Sequence, residues 1–335
     1  MITKRLLLAS AAGLLAAPFV NKIASASTRW HMAISVPETS FTGRVVREFV
    51  DEIHRESNNE LTITIHSRSA LAPENQVLRG IRTGQIQAGM FLGALHGNED
   101  PFFEVEGIPF LANSWDETRA LRAAAEPYVR ERLVRRGATE LYSINWPSQG
   151  IFSQVPVQGV ADLRDLRFRV YNRMTVRMAT LAGTRPVNIC CNPAETSLAF
   201  ASGMAEAMFT SAQSGVDSQA WDYVKYFTDV GGMRNRTLIV ANTAAYNRLS
   251  ADIKRVIARA GENANRRGFE VSKQVEVETV ETLRSRGIQT YTASERLMSE
   301  LRDIGAQLAT EWLASAGPEG PVFMARYQEL LRSRV

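Results

Sequence analysis

Between residues 162 and 221 the chain alternates strand-like and helix-like runs, and few folds accept that rhythm. Phe168 and Val170 fall on one face of a period-two segment, with Arg169 between them on the other. An amphipathic run (Met174, Arg177, Met178, Leu181) follows and closes at Gly183. Residues 186–191 are apolar again, residues 193–202 read as a helix ended by Gly203, and residues 205–210 as another strand. Residues 219–226 read as a further amphipathic segment. Strand–helix alternation of this kind predicts an α/β domain with a largely parallel sheet. Ligands of such domains sit beyond the carboxyl ends of the strands, which directs attention to Arg169, Phe209 and Thr210. Arginine suits a carboxylate because its planar fork donates two parallel, charge-assisted hydrogen bonds. An arginine at a strand end reads equally well as a solvated surface residue.

The same stretch carries a specific order of motifs. Asp162-Leu163 leads to Arg169-Val170; Leu181-Ala182-Gly183-Thr184-Arg185-Pro186-Val187 follows, then residues 195–203, then Trp221-Asp222-Tyr223-Val224-Lys225-Tyr226. In order and spacing this resembles the second domain of DctP-type solute-binding proteins of tripartite ATP-independent periplasmic (TRAP) transporters. The resemblance implies a two-lobed periplasmic binding protein fold, with a hinge cleft and a long helix spanning both lobes. It also implies a small organic acid as ligand, small and large membrane subunits as partners, and no catalysis. In the family, the strand-end arginine holds the ligand carboxylate, and an arginine or glutamine some twenty residues earlier is its second partner. Gln149 holds that earlier place here, although it also reads as a loop glutamine. Ser35, Glu74 and Phe91 complete the candidate ligand set, from the exits of the first and third strands and the turn before the second helix.

Residues 1–26 read as a secretory leader. Lys4 and Arg5 precede an apolar run over residues 6–20, and Ala24-Ser25-Ala26 has the small-residue cleavage pattern. The leader predicts a periplasmic protein. Its three cations and no acid account for most of the formal net charge of +4, leaving +1. A nearly neutral chain lacks the basic stripe that nucleic-acid binding needs. Cys190 and Cys191 are adjacent and close no useful loop, so they read as apolar packing beside a strand end, without a stabilising bridge. The four histidines are scattered, without metal-ligand spacing, and no cofactor or metal is expected.

About 300 residues after the leader predict two lobes. Lobe I covers residues 27–151, and residues 240–290 return to it as the long helix. Lobe II covers 152–239, and helices over 291–335 pack on the lobes. In lobe I, strands are expected over residues 29–36, 61–66 and 88–91, and helices over 41–53 and around Val77, Leu78 and Ile81, the latter ending at Gly84. Ile108-Pro109-Phe110 is assigned to packing. Ser250 is the expected cap of the long helix, which runs to about Arg286. The chain ends at Val335 without a membrane anchor, which favours a free transporter subunit over a sensor lobe, in monomeric or homodimeric form.

The chain departs from the family where many members read E-N-P, since it has Phe209-Thr210-Ser211. An aromatic ring and a hydroxyl replace an acid and an amide. With Phe91 as a second wall, this predicts a monocarboxylate with an apolar or aromatic body, 2-keto and 2-hydroxy acids included, over a sugar acid. Phe209 turned into the core is the competing reading. A secreted α/β hydrolase is the rival function, but no G-x-S-x-G elbow supports it.

Overall fold

The computed structural model describes residues 27–333, so the leader reading lies outside the described residues. Two mixed sheets, each flanked by helices, form two lobes. The first sheet has the order β2 (Leu61–His66), β1 (Thr28–Ala33), β3 (Ala88–Leu92), β10 (Arg236–Asn242), β4 (Ala138–Asn145). The second runs β11 (Gln289–Thr292), β9 (Tyr226–Asp229), β5 (Gln149–Ser153), β8 (Ala207–Ser211), β6 (Arg167–Val170), β7 (Arg185–Asn188).

Local chemistry sets most element ends. Helix α1 (Phe41–Glu56) starts where Ser40 accepts a hydrogen bond from the Gly43 N–H at 3.1 Å. Its buried stripe of Phe41, Val45, Phe49 and Ile53 faces the first sheet. Helix α2 (Glu74–Thr83) stops at Gly84, whose φ of 75° belongs to the left-handed region that glycine enters freely. Helix α3 (Trp115–Arg135) packs on β4. In the second lobe, α4 (Arg173–Leu181), α5 (Pro193–Ala201) and α6 (Ala212–Asp217) follow β6, β7 and β8 in turn. The third helix of the sequence reading is therefore α6. Residues 219–226 instead hold a left-handed Gln219, a short 3-10 turn and the start of β9.

The sheets are mixed rather than largely parallel. β6, β7 and β8 are mutually parallel, as are β1, β2 and β3. β5 is antiparallel to β8 and β9, and β10 is antiparallel to β3 and β4. These two reversed strands are the ones that arrive from the other sheet: β4 continues through residues 146–148 into β5, and β9 through residues 230–235 into β10. A strand that leaves one sheet at its carboxyl edge and enters the next against the parallel strands must enter at that sheet's carboxyl edge. The carboxyl edges of both sheets therefore face each other across the two crossings.

After α7 (Thr243–Asn247), the 35-residue helix α8 (Ala251–Ser285) begins where Ser250 accepts from the Ile253 N–H at 3.2 Å. It packs on α1 and β4 in one lobe and on α6 and β11 in the other. Helix α9 (Glu295–Ala316) lies against α4, and α10 (Glu319–Arg332) against α3. Ile108 and Phe110 are buried, in keeping with packing.

Candidate functional site

Arg169 is the third of four residues in β6 and is 5% exposed. Its guanidinium makes no ion pair with the described residues, and Nε is buried without a hydrogen-bond partner. Burial pushes its pKa down to about 10, with the Tyr171 and Tyr223 side chains pulling weakly the other way. Tyr171 lies under it, the ring centroid 5.0 Å from Cζ. A buried cation with no countercharge is costly unless something else supplies the anion.

Register places the neighbours. Arg169 pairs with Met208, so Thr210 shares its face of the sheet, while Phe209 points to the opposite face with Phe168. Phe209 is fully buried, 6.1 Å from the Phe110 ring and against Gly232. It is core packing and not a wall beside Arg169. Phe91 is equally buried and lies edge-on to His96 at 4.8 Å, so the second aromatic wall is also core.

Gln149 opens β5 at the carboxyl edge of the second sheet, and its amide makes two hydrogen bonds there. Nε2 donates to the Pro147 carbonyl at 3.1 Å, and Oε1 accepts from the Tyr171 hydroxyl at 3.1 Å. It supports the site from behind, and the second Nε2 hydrogen is the one donor it has left for a ligand.

Across the crossings, Ser35 lies just past β1, Glu74 opens α2, and Leu92 ends β3. The Leu92 N–H donates to Glu74 Oε1 at 2.9 Å. Burial raises the Glu74 carboxyl above its ordinary range, and the nearby Ser35 hydroxyl and Leu92 N–H offset part of that. Sheet I thus offers an acceptor-rich carboxylate, and sheet II an unpaired cation. The two lobes also touch through Arg173 at the start of α4, which donates to the buried Glu104; its Nε–Oε2 distance is 3.3 Å. Two surface depressions of about 450 and 390 Å³ lie elsewhere, one lined by Trp30, His31 and Arg248, the other by Arg164, Gly183 and Glu300.

Cys190 and Cys191 are disulfide-bonded to each other, correcting the expectation of two packing thiols. They follow β7 at the same carboxyl edge, Cys190 half-buried and Cys191 exposed, so neither serves as core. Tyr171 and Asn235 were not singled out from the sequence. Tyr171 stands two residues after Arg169, the spacing that returns a strand to the same face, and that signal could have found it.

Residues 32–315 match the family model described as bacterial extracellular solute-binding protein, family 7 (DctP). The chain belongs to that family. Family 7 members are solute-binding receptors, not enzymes, and this chain is a TRAP-type extracytoplasmic solute receptor. Among similar solved structures, DctP7 of Bordetella pertussis, an extracytoplasmic solute receptor binding pyroglutamic acid, is 35% identical; the match covers 90% of this chain and 100% of that one, with a TM-score of 0.87. DctP6 of the same organism, also a receptor binding pyroglutamic acid, is 28% identical with a TM-score of 0.88 over the same shares. A TRAP solute-binding protein from an unidentified marine microbe, specific for pyroglutamate, is 29% identical, with a TM-score of 0.86 over 90% of this chain and 99% of that one. Among the described residues no helix is long and apolar enough to cross a membrane.

Proposed function

We propose that this receptor captures a small cyclic monocarboxylate of the pyroglutamate type in the periplasm and hands it to the small and large membrane subunits of a TRAP transporter. The observation that carries this reading is Arg169, buried and without a countercharge. A ligand carboxylate supplies that charge, with the Thr210 hydroxyl on the same face as a second contact.

The neutral part of the ligand follows from the other lobe. A lactam N–H needs an acceptor, and Glu74 is a partly buried carboxylate at the facing edge, beside the Ser35 hydroxyl. Glu74 Oε1 already accepts from the Leu92 N–H, and a carboxylate has lone pairs left for a ligand donor as well. Phe209 and Phe91 lie in the core, so the stacking surface that favoured an aromatic acid is missing, and a compact ring fits better. The pyroglutamate bound by the three relatives above supports the same choice.

Calorimetric competition tests this with L-pyroglutamate, phenylpyruvate and galacturonate as probes. L-pyroglutamate should bind most tightly, and Glu74→Ala should weaken it while affecting phenylpyruvate less. Tighter binding of galacturonate or phenylpyruvate removes the ligand assignment and leaves the family assignment standing.

A further inference from the structure

Tyr171 lies one residue beyond β6, buried, with its ring beneath the Arg169 guanidinium. Its hydroxyl donates to Gln149 Oε1 at 3.1 Å and accepts from Asn235 Nδ2 at 2.8 Å. Gln149, the first residue of β5, follows directly on one crossing, and Asn235 is the last residue of the other. Those segments are themselves cross-tied: the Trp146 N–H donates to the Asn235 carbonyl at 2.8 Å, and the Gln149 N–H to the Met233 carbonyl at 3.1 Å. The bond to Tyr171 is the one side-chain tie of the Asn235 amide among the described residues, since its Oδ1 is buried without a partner.

We propose that Tyr171 is a positioning residue that couples carboxylate capture at Arg169 to closure of the lobes. The inference rests on Arg169 being the carboxylate partner. One ring supports the cation that meets the ligand, and one hydroxyl holds both crossings. Lobe opening twists the crossings against each other, so the Gln149 and Asn235 amides cannot both stay within reach of a single oxygen. Both bonds are made in the lobe arrangement of this structure, and there the ring fixes Arg169 in place. Ligand bound to Arg169 and bonds at the Tyr171 hydroxyl therefore favour the same lobe arrangement.

Tyr171→Phe keeps the ring and removes the hydroxyl. In the full-length protein, stopped-flow tryptophan fluorescence with L-pyroglutamate should show dissociation about tenfold faster and association within about threefold of wild type. This is because encounter at Arg169 is unchanged while the closed state loses both ties. Ligand-free hydrogen exchange should quicken over residues 144–150 and 231–237 and stay unchanged in β1, β2 and β6. Should Tyr171→Phe fail to fold, Asn235→Ser removes one of the two ties and is read in the same way. If wild type does not bind L-pyroglutamate, the ligand assignment fails and the exchange measurement still decides the role of Tyr171. Crossing amides that exchange as in wild type overturn the proposal. So does a uniform rise in exchange throughout lobe II, which would make Tyr171 ordinary core packing.

Discussion

Arg169 owes its unusual state to what surrounds it: a strand end, two tyrosines and no acid. Removing it should be felt in binding far more than in folding, because folding already bears the uncompensated charge. Arg169→Ala should weaken L-pyroglutamate by roughly 2–5 kcal/mol in calorimetric titration, and Arg169→Lys should not restore it, since a point charge cannot reproduce the fork. Binding within threefold of wild type in either mutant takes Arg169 out of the site. His96 shows the opposite adaptation. It is 3% exposed, bonded through Nδ1 to Glu99 at 2.8 Å, and burial lowers its pKa. The unfolded chain therefore takes up a proton before the folded one does. Stability conferred by the neutral ring is intact above about 6.5 and falls as pH drops from there toward the folded-state value. His96→Gln should reduce the loss of melting temperature between pH 7.5 and pH 5.0; an undiminished loss assigns it to other groups. At this scale the sequence is legible where chemistry is singular, as with an arginine inside an apolar alternation. It misleads where face matters. The motif comparison offers both Phe209 and Thr210 to the pocket, yet adjacent strand residues point to opposite faces, and only Thr210 shares the face of Arg169.

Elements with one clean apolar stripe and a cap were legible: α1, α2, α8 and β2 begin and end close to where caps, glycines and alternation put them. Helix α3 leaves no comparable signature in the sequence. It carries Pro127 inside and packs against β4 and α10, so its apolar residues are spread around it. The reversed direction of β5 and β10 was also illegible, because pairing direction leaves no mark on an all-buried strand. One contact between elements has a consequence for stability. Glu276 of α8 accepts from the Ser148 N–H at 2.7 Å and pairs with the buried Arg234 at 2.8 Å, gripping both crossings at once. Glu276→Ala leaves Arg234 unpaired. Breaking a fully buried pair this way costs about 3–5 kcal/mol, and the partial exposure of Glu276 should bring the value to that lower end or below. Urea unfolding measures it, and a change under about 0.5 kcal/mol would show that the grip is not structural.

As a whole molecule, the receptor has two bodies joined by two short crossings and braced by α8. On the proposed reading, a ligand held by Arg169 in one body and Glu74 in the other would favour their approach. Small-angle scattering should give a smaller radius of gyration with saturating L-pyroglutamate than without it; tight binding at constant radius argues against hinge closure. Two lobes were legible from length and motif order. That their carboxyl edges meet was not, since it follows from strand direction alone. The place of β10 in the first sheet reaches further, to the birth of the protein. β10 lies between β3 and β4, so that sheet has a gap at its middle until residues 236–242 have been made. A nascent chain on the ribosome holds β1 to β4 long before it can join them into one sheet. The first lobe must therefore stay unfinished through most of synthesis, in the loose state that a secretion channel can thread. A fragment ending at residue 230 should accordingly show no cooperative melting in calorimetry, despite containing every other strand of that lobe.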